Sequence, residues 1–277
     1  MFKSKNSNNA HNLFCVADQI VVITGVSGQL GFEYGLCLLE RGAKVVGLDM
    51  NLSEPIKNLC SQQEENFLFI ETDITKKSQI RNALKSCIKK FGVPTGLINN
   101  AGLDSPPNSS AAENGPFEKY PERSWDNVLD VNLKGVFLCS QVFGSKMAER
   151  GVGSIVNIAS IYGLVSPDQS LYSYRRDRGE VFYKPVAYSA SKSGVLNLTR
   201  YLAVYWAQKG VRVNTLTLAG VANNQDEQFL KAYCERIPIK RMANGNEYNG
   251  AVLFLLSNAS SYMTGQNLIV DGGWTAI

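Results

Sequence analysis

The sequence predicts an α/β protein with three layers, in which a doubly wound, mostly parallel sheet of seven strands carries helices on both faces. Short runs rich in β-branched and apolar residues alternate with longer amphipathic stretches. A glycine-rich turn at residues 24–31 follows the first run immediately. Because alternating strands and helices require crossover connections, they produce a parallel sheet that is covered on both sides.

The predicted elements follow one another without an internal repeat. The strand-like runs cover residues 20–24, 43–49, 67–71, 95–99, 153–159, 210–216 and 267–270. The longest helical stretches cover residues 124–150 and 187–209. With 277 residues, 44% of them hydrophobic, the chain can bury one large core. We therefore expect a single domain over residues 13–277, preceded by a polar extension at 1–12.

Composition argues against several classes of function. The net charge is only +4 and no basic block with interleaved aromatic residues occurs, so we expect no nucleic-acid partner. One histidine, His11, and six scattered cysteines argue against a metal site or a histidine-based triad. No apolar run approaches the roughly 18 residues of a membrane span, and residues 1–12 lack a signal-peptide core. The sequence predicts a cytoplasmic protein with reduced cysteines and no membrane contact.

The first strand, turn and helix form the arrangement that a dinucleotide pyrophosphate requires. Gly25 and Gly31 let the backbone approach the phosphates, and the helix that follows offers unpaired N–H groups and the positive end of its dipole. We expect Ser27, Gln29 and Leu30 to complete this part of the cofactor site.

The second strand ends at Asp49, where a carboxylate can accept hydrogen bonds from the adenosine ribose hydroxyls. That carboxylate would repel a 2′-phosphate, and Val26, Ser27 and Met50 supply no cation to hold one. NAD(H) is therefore the predicted cofactor, with Asp49 and Met50 beside its ribose. An ordinary aspartate at a strand end is the alternative interpretation.

Tyr188 and Lys192 lie one turn apart in the predicted helix 187–209, so the phenol and the ammonium share a helix face. The cation can favour the phenolate and lower the tyrosine pKa from its ordinary value of about 10. Such a pair donates and accepts protons near neutral pH. The spacing alone is common by chance, and the glycine turn upstream is what gives it weight.

Together with further motifs in a fixed order, these residues resemble the short-chain dehydrogenase/reductase family of the single-domain type. The resemblance covers about residues 13–275. It rests on residues 24–31, 73–74, 99–102, 131–133, 157–160, 188–192, 213–214, 264–266 and 270–273. It implies a Rossmann fold and an NAD-dependent exchange of hydride at a hydroxyl or carbonyl carbon. The long helices and terminal strand resemble the surfaces by which the family forms dimers and tetramers.

The resemblance also implies four catalytic residues. Tyr188 would be the general acid or base, and Lys192 would shift its pKa and bond the nicotinamide ribose. Ser160 would hold the substrate oxygen, and Asn132 would help to order a water that relays protons to the lysine. From the residues alone, Ser160 can instead be a strand-end cap, and Asn132 can be a buried amide that bonds helix backbone.

Seven further cofactor contacts follow from the same resemblance. They are Asp73 and Ile74 after the third strand, Asn100, Ala101 and Gly102 in the turn after the fourth, and Gly220 and Val221 after the sixth. An N-cap for the next helix is the alternative for Asp73. A purely structural turn is the alternative for residues 99–102.

Two positions depart from the family pattern. Gln29 stands where a second glycine is usual, and Leu218-Ala219 stands where Pro-Gly is usual. Both changes alter the allowed backbone dihedrals near the cofactor. They motivate one alternative function, an NAD-binding regulator or catalytically impaired partner subunit. A nucleotide-sugar epimerase or dehydratase is another, although such enzymes carry a longer C-terminal substrate domain.

The segment between Ser160 and Tyr188 is about twice as long as is usual in the family, which predicts an inserted loop at about 166–184 beside the pocket. It contains Tyr174 and three arginines, Arg175, Arg176 and Arg178. Arginine forks recognise phosphate or carboxylate, and tyrosines stack on sugars or bases. We therefore predict a polar, anionic substrate such as a sugar phosphate or nucleotide sugar. A solvated loop tip is the alternative.

Three short pieces refine the resemblance. They lie at residues 160–163, 167–168 and 237–242 and are similar to the bacterial branch associated with the synthesis of surface-glycan and flagellin-glycan sugars. The branch implies a sugar-type substrate, in agreement with the interpretation of the insertion.

Overall fold

The computed structural model describes residues 13–104 and 111–277, and the extension predicted at 1–12 lies outside them. Within these residues one parallel sheet has the strand order β3-β2-β1-β4-β5-β6-β7. The strands are β1 (Ile20–Thr24), β2 (Lys44–Asp49), β3 (Phe67–Glu71), β4 (Gly96–Asn99), β5 (Gly153–Ser160), β6 (Val211–Leu218) and β7 (Asn267–Val270). This confirms the predicted fold class, and each predicted strand lies within two residues of the observed one.

Helices cover both faces of the sheet. They are α1 (Gln29–Glu40), α2 (Glu54–Gln62), α3 (Lys77–Lys90), α4 (Glu122–Leu129), α5 (Val136–Cys139), α6 (Ser145–Arg150), α7 (Ser173–Asp177), α8 (Val186–Trp206), α9 (Glu227–Arg236) and α10 (Asn249–Leu256). Among the helices of the described residues, none combines the length and apolar character that a membrane span needs.

The central strands β1, β4 and β5 are buried on both faces, which is why they are continuous apolar runs rather than alternating ones. In β1, Val21 and Ile23 pack with α1 and α10 on one face. Ile20 and Val22 pack on the other face, in a cluster that includes residues of α3 and α8. With both faces closed, the open edge of the sheet for a ligand is the one formed by the carboxyl ends of the strands.

The long helix predicted at 124–150 is continuous from α4 to α6, but two stretches of it are π-helical. They are Asp130–Gly135 and Ser140–Gly144. The helix ends at Gly151, whose φ of 79° is the left-handed conformation that glycine adopts without strain. Asn132 lies in the first π-helical stretch, and such bulges are frequent at functional sites.

The insertion at 166–184 is folded rather than an open loop. Asp168 caps a 3₁₀ turn over Gln169–Tyr172 by accepting a hydrogen bond from the Ser170 N–H, and α7 follows directly. Tyr172 then stacks on Phe229 of α9, with ring centroids 5.5 Å apart. Capping and aromatic packing therefore hold the insertion against the segment that follows β6.

Candidate active site

A cleft of 560 Å³ lies at the carboxyl ends of the strands. Ser160 at the end of β5 and both Tyr188 and Lys192 in α8 line it, as do Asn100 and Gly102 after β4. The parallel topology brings these strand ends to one edge of the sheet, so residues far apart in the chain meet there. Three of the four residues predicted to be catalytic thus border one cavity.

Tyr188 lies in the first turn of α8, which begins directly after Pro185. Burial and, to a smaller extent, the Asp104 carboxylate raise the pKa of the Tyr188 phenol to about 12, although a hydrogen bond with Ser160 acts in the opposite direction. The sequence predicted that Lys192 lowers the pKa of Tyr188, and that prediction is wrong. The Lys192 Nζ lies 5.8 Å from the phenol ring centroid, and desolvation dominates.

Lys192 is only 5% exposed, and its Nζ donates a hydrogen bond to the Ile158 carbonyl at 2.9 Å. Burial lowers the pKa of the Lys192 ammonium to about 8. Gly102 leaves room for it, since a Cβ built on Gly102 would lie 3.4 Å from the Lys192 Nζ. Lys192 can therefore gain or lose a proton near neutral pH, which suits a group that assists proton exchange at Tyr188.

Asn132 is fully buried, and its amide ties two segments of the site together. Its Oδ1 accepts a hydrogen bond from the Leu103 N–H at 2.7 Å, and its Nδ2 donates to the Leu103 carbonyl at 2.8 Å and to Ser191 Oγ at 3.0 Å. The amide is thus buried and hydrogen-bonded, but its partners are the Leu103 backbone, which is not helical, and a serine side chain, so the alternative of an amide that bonds helix backbone is wrong. The role in a water relay stays a prediction.

Ser160 is a strand-end cap, as the alternative interpretation had it, and its role in holding the substrate oxygen stays a prediction. Its Oγ accepts a hydrogen bond from the Tyr162 N–H at 3.2 Å and so caps the turn that follows β5. The same hydroxyl also bonds the Tyr188 phenol and thereby favours the phenolate. A hydroxyl can accept and donate at once, so the cap leaves the Ser160 proton available for an oxygen atom in the cleft.

The glycine turn fits a dinucleotide pyrophosphate. Gly25 has φ 69°, and a Cβ on it would lie 2.8 Å from the Ala101 Cα, while a Cβ on Gly31 would collide with the Gly25 carbonyl oxygen. Helix α1 has Gly28 as its N-cap, with neither a side-chain cap nor an acidic residue in its first turn. Its first N–H groups and its positive dipole end can therefore serve a phosphate.

The turn after β4 is hydrogen-bonded to the glycine turn. The Asn100 Nδ2 donates hydrogen bonds to the Thr24 and Gly25 carbonyls at 3.1 and 3.2 Å. The N–H groups of Asn100 and Ala101 both donate to Thr24 Oγ1 at 3.0 Å. These contacts match the structural-turn interpretation of residues 99–102, and they hold Gly25 in place.

Asp49 is held against the glycine turn. Its Oδ2 accepts a hydrogen bond from the Ser27 N–H at 3.0 Å, and its Oδ1 accepts one from the Asn51 N–H at 3.2 Å. Met50 beside it is 61% exposed. The carboxylate thus lies fixed at the carboxyl end of β2, where a ribose that carries a 2′-phosphate would meet a like charge.

Replacing the negative charge at Asp49 with a neutral residue and adding a cation beside it tests the choice between NAD(H) and NADP(H). We expect Asp49→Ser combined with Met50→Arg to raise the ratio of kcat/KM with NADP⁺ to kcat/KM with NAD⁺ by at least about tenfold, because repulsion is removed and a cation is added. Glu71→Gln is the matched control, since Glu71 pairs with Asp49 in register on the neighbouring strand. An unchanged ratio in the double variant would contradict the assignment of Asp49.

Three other predicted cofactor residues already make contacts within the protein. Asp73 is not the N-cap of α3, which is Lys76 without a side-chain cap; its Oδ1 instead accepts hydrogen bonds from the Thr75 N–H and hydroxyl at 2.8 and 2.7 Å. Ile74 is buried against Gly135. The Gly220 N–H donates to Tyr233 Oη at 2.7 Å. Any cofactor contact by these three residues would have to use other atoms or exchange these bonds.

The two departures from the family pattern are accommodated by packing. The Gln29 Nε2 donates a hydrogen bond to the Ala222 carbonyl at 2.9 Å, so it joins the start of α1 to the segment after β6. Leu218 extends β6, where it pairs with Val270. Val221 forms a parallel bridge with Ala243 that steadies the same segment. The link through Gln29 could not be foreseen from the sequence.

The predicted substrate residues fall into two groups. Tyr174 and Arg175 line the cleft, but Arg175 is already paired with Glu180 at 2.6 Å. Arg176 donates to the Phe182 and Gln169 carbonyls, and Arg178 pairs with Asp226 at 3.2 Å. Every arginine of the insertion is thus engaged within the protein.

Asp104, which lines the same cleft, has no predicted role, and Lys184 is predicted only as one more cation of the insertion. One signal was available for Lys184, which stands four residues before Tyr188. Nothing in the sequence marked Asp104, whose importance arises from its position after β4.

A doubly wound sheet with a glycine turn and a serine, tyrosine and lysine at one cleft defines a dinucleotide-dependent oxidoreductase. A family model described as enoyl-(acyl carrier protein) reductase matches residues 25–275. The chain belongs to the short-chain dehydrogenase/reductase family, as its motifs predicted, and it is an enzyme of the dehydrogenase type that acts on CH–OH groups.

Several relatives are dehydrogenases of small polyols and sugar acids. The chain is 32% identical to an NAD-dependent glycerol dehydrogenase of Listeria innocua over 95% of its length and 96% of that protein. It is 31% identical to a 2-dehydro-3-deoxy-D-gluconate 5-dehydrogenase of Escherichia coli over 95% of its length and 98% of that protein.

Solved structures show the same fold. A short-chain dehydrogenase from Leptospira borgpetersenii with bound NAD⁺ has a TM-score of 0.82 and 33% identity, covering 99% of this chain and 98% of that one. A gluconate 5-dehydrogenase from Burkholderia cenocepacia in complex with NADP and tartrate has a TM-score of 0.83 and 27% identity, covering 96% and 98%. Both cofactors thus occur among similar proteins.

Proposed function

We propose that this protein is an NAD(H)-dependent oxidoreductase that interconverts a hydroxyl and a carbonyl on a polar, sugar-type substrate. The observation that carries the proposal is the convergence of Ser160, Tyr188 and Lys192 on one cleft beside the glycine turn. Asp49 supports NAD(H) over NADP(H), because its carboxylate lies where a 2′-phosphate would be repelled.

Each catalytic side chain has one task in this proposal. The bound cofactor supplies the acceptor or donor of the hydride. On oxidation the substrate hydroxyl passes its proton to the Tyr188 phenolate, its carbon gives up a hydride, and two electrons leave with that hydride. Ser160 holds the oxygen at which charge changes, and Lys192, which can gain or lose a proton near neutral pH, assists proton exchange at Tyr188.

The lining of the cleft suits a substrate with many hydroxyl groups. It combines polar groups on Asp104, Lys184 and Gln225 with the aromatic rings of Tyr174 and Phe229. Aromatic faces beside hydrogen-bonding groups are what a sugar needs for orientation. The names of the relatives, which refer to glycerol and gluconate-type compounds, support the same class.

The anionic character of the substrate stays a prediction, and the pairing of the insertion's arginines argues against it. Arg175 and Arg178 already neutralise carboxylates, so an anion would have to compete with Glu180 and Asp226. A comparison of kcat/KM for a sugar acid with kcat/KM for the matching neutral sugar tests whether the substrate is anionic. The proposed place in surface-glycan synthesis depends on that comparison, because sugar phosphates and nucleotide sugars are anions.

Binding and turnover are tested in one experiment. Protein fluorescence follows the titration with NAD(H), and absorbance of the reduced nicotinamide then follows turnover on polyols, sugar acids, sugar phosphates and nucleotide sugars. We expect NAD(H) to bind and one class to turn over only when Tyr188 is present. Tight binding without turnover across all classes would favour the regulator, and absence of binding would contradict both.

We also propose a cytoplasmic protein with one catalytic domain at 13–277. All six cysteines are free, which suits a reducing compartment. The strands β1 to β3 and β4 to β7 form one continuous sheet, joined where β1 pairs with β4. We therefore expect the two halves of the sheet to unfold together.

We further propose a homo-oligomer that associates through α8. Tyr201, Val204 and Tyr205 are exposed on this helix, Val204 by 82%, and Tyr201 stacks on Tyr205 at 6.0 Å. An apolar patch of this kind is typical of an interface. We expect Val204→Asp to reduce the mass measured by light scattering, while Val181→Asp, at another exposed valine, leaves it unchanged. A monomeric wild type would contradict the proposal.

A further inference from the structure

An ion pair that the sequence did not reveal lies inside the cleft. The Lys184 Nζ is 2.5 Å from Asp104 Oδ2, with the lysine side chain 14% exposed and the aspartate 51% exposed. The same Nζ lies 5.3 Å from the ring centroid of Tyr188 and 5.8 Å from that of Tyr162. The pair is therefore a neighbour of the proposed proton-exchanging group and is open to the cavity.

The insertion holds Lys184 in this position. Gln169 Oε1 accepts a hydrogen bond from the Lys184 N–H at 2.8 Å, and the Gln169 Nε2 donates to the Lys184 carbonyl at 3.3 Å. Arg176 in turn donates to the Gln169 carbonyl at 3.0 Å. A side-chain clamp on both backbone groups of one residue fixes where its side chain starts, so Lys184 is positioned before any ligand arrives.

The pair has hydrogen-bonding capacity left over. Among the described residues, the Lys184 ammonium donates a hydrogen bond only to Asp104 Oδ2, although it has three protons. Within the same residues, Asp104 Oδ1 accepts no hydrogen bond. A hydroxyl group can accept from the ammonium and donate to the carboxylate at the same time. An anion finds no uncompensated charge here and would have to displace Asp104.

We propose that Asp104 and Lys184 together bind a hydroxyl on the carbon next to the reacting carbon, so that the enzyme selects vicinal diols. The position of the reacting carbon rests on the proposed function, in which the substrate oxygen meets Tyr188. The Lys184 Nζ lies 5.3 Å from the centroid of the Tyr188 ring, so a hydroxyl bound by the ion pair can be carried by the carbon next to the reacting one. Both residues determine specificity by touching the substrate.

Three small alcohols that share a reacting CH–OH group test the proposal. They are butane-2,3-diol, with an adjacent hydroxyl; butan-2-ol, with none; and lactate, with an adjacent carboxylate. We expect the wild type to show a kcat/KM at least about a hundredfold higher for the diol than for butan-2-ol, because unpaired polar groups in the cleft penalise the analogue that lacks the hydroxyl. Lactate should not exceed the diol.

Two variants locate the effect. Asp104→Asn keeps the shape of a half-exposed side chain, and Lys184→Met removes the ammonium. Each variant should lower the ratio of kcat/KM for the diol to kcat/KM for butan-2-ol by at least about tenfold. Lys146→Met is the control, since it removes an exposed lysine that is paired with Glu149 far from the cleft, and its ratio should equal that of the wild type. A merely structural role would change both rates together and leave the ratio intact, which would overturn the proposal.

Ligand-observed NMR with the same three compounds separates this inference from the proposed function. If the wild type binds the diol in preference to butan-2-ol, and loses that preference in both variants, the inference stands even when no compound turns over. Turnover with equal ratios in the wild type and the variants would leave the oxidoreductase intact and overturn the diol site. Absence of any preference for the diol in binding and in turnover would overturn it as well, as would a preference for lactate.

Discussion

Replacing Tyr188 with phenylalanine is expected to lower kcat/KM roughly 10²- to 10⁴-fold in both reaction directions, the range that a general acid or base supplies. Phenylalanine keeps the ring and its packing in the first turn of α8 and removes only the hydroxyl, which bonds Ser160. The affinity for NAD(H) and the unfolding transition should therefore change little. Steady-state rates, cofactor titration and thermal unfolding measure the three quantities.

Tyr162→Phe is the matched control, because Tyr162 lines the same cleft from the turn that follows β5. It should keep its activity within a few-fold. The pH profile gives a second criterion. Since burial raises the pKa of Tyr188 to about 12, the phenolate needed for oxidation is scarce at neutral pH, and oxidation should speed up as the pH rises from 7 to 10. Activity of Tyr188→Phe within tenfold of the wild type would exclude the assigned role.

The second large effect concerns stability and its dependence on pH. Burial lowers the pKa of Lys192 to about 8 in the folded protein, below its ordinary value of 10.5. A group with a lowered folded pKa contributes stability that is present above the ordinary pKa and is lost as the pH falls through the folded pKa. The wild type should thus lose about 3 kcal/mol of unfolding free energy from this residue between pH 10.5 and pH 8.

Lys192→Met isolates that contribution. Methionine cannot be charged, so the unfolding free energy of the variant minus that of the wild type should become more positive as the pH falls from 10.5 to 8. The variant also leaves the Ile158 carbonyl without its hydrogen bond, a cost that is the same at every pH. Denaturant unfolding of both proteins at several pH values measures the difference. Lys134→Met, at an exposed lysine, is the control, and a difference for Lys192→Met that varies with pH no more than that of the control would refute the assignment.

Several features of the enzyme follow from the sequence alone. Local patterns of apolar residues and glycines predict the seven strands and their alternation with helices. They also predict the crevice at the carboxyl ends of the strands. The glycine turn at 24–31 and the spacing of Tyr188 and Lys192 are equally local. Interactions within a few residues depend little on the rest of the chain, so they can be predicted from it.

The electrostatics of the cleft belong to the tertiary structure. The sequence predicted that Lys192 lowers the pKa of Tyr188, but the direction depends on how much water the packed protein removes from the phenol, and packing reverses it. The composition of the insertion predicts anion-binding arginines, yet Arg178 pairs with Asp226, which lies 48 residues away in the chain. Whether a charge is free or paired is decided by its neighbours in space.

The remaining surprises are long-range contacts. Lys184 reaches Asp104 across 80 positions, and Gln29 reaches Ala222 across 193. The sequence determined the class of enzyme, because a family's chemistry is carried by short motifs. The tertiary structure alone decided which polar groups face the substrate and in which ionisation state, since both depend on desolvation and on partners that only folding brings together.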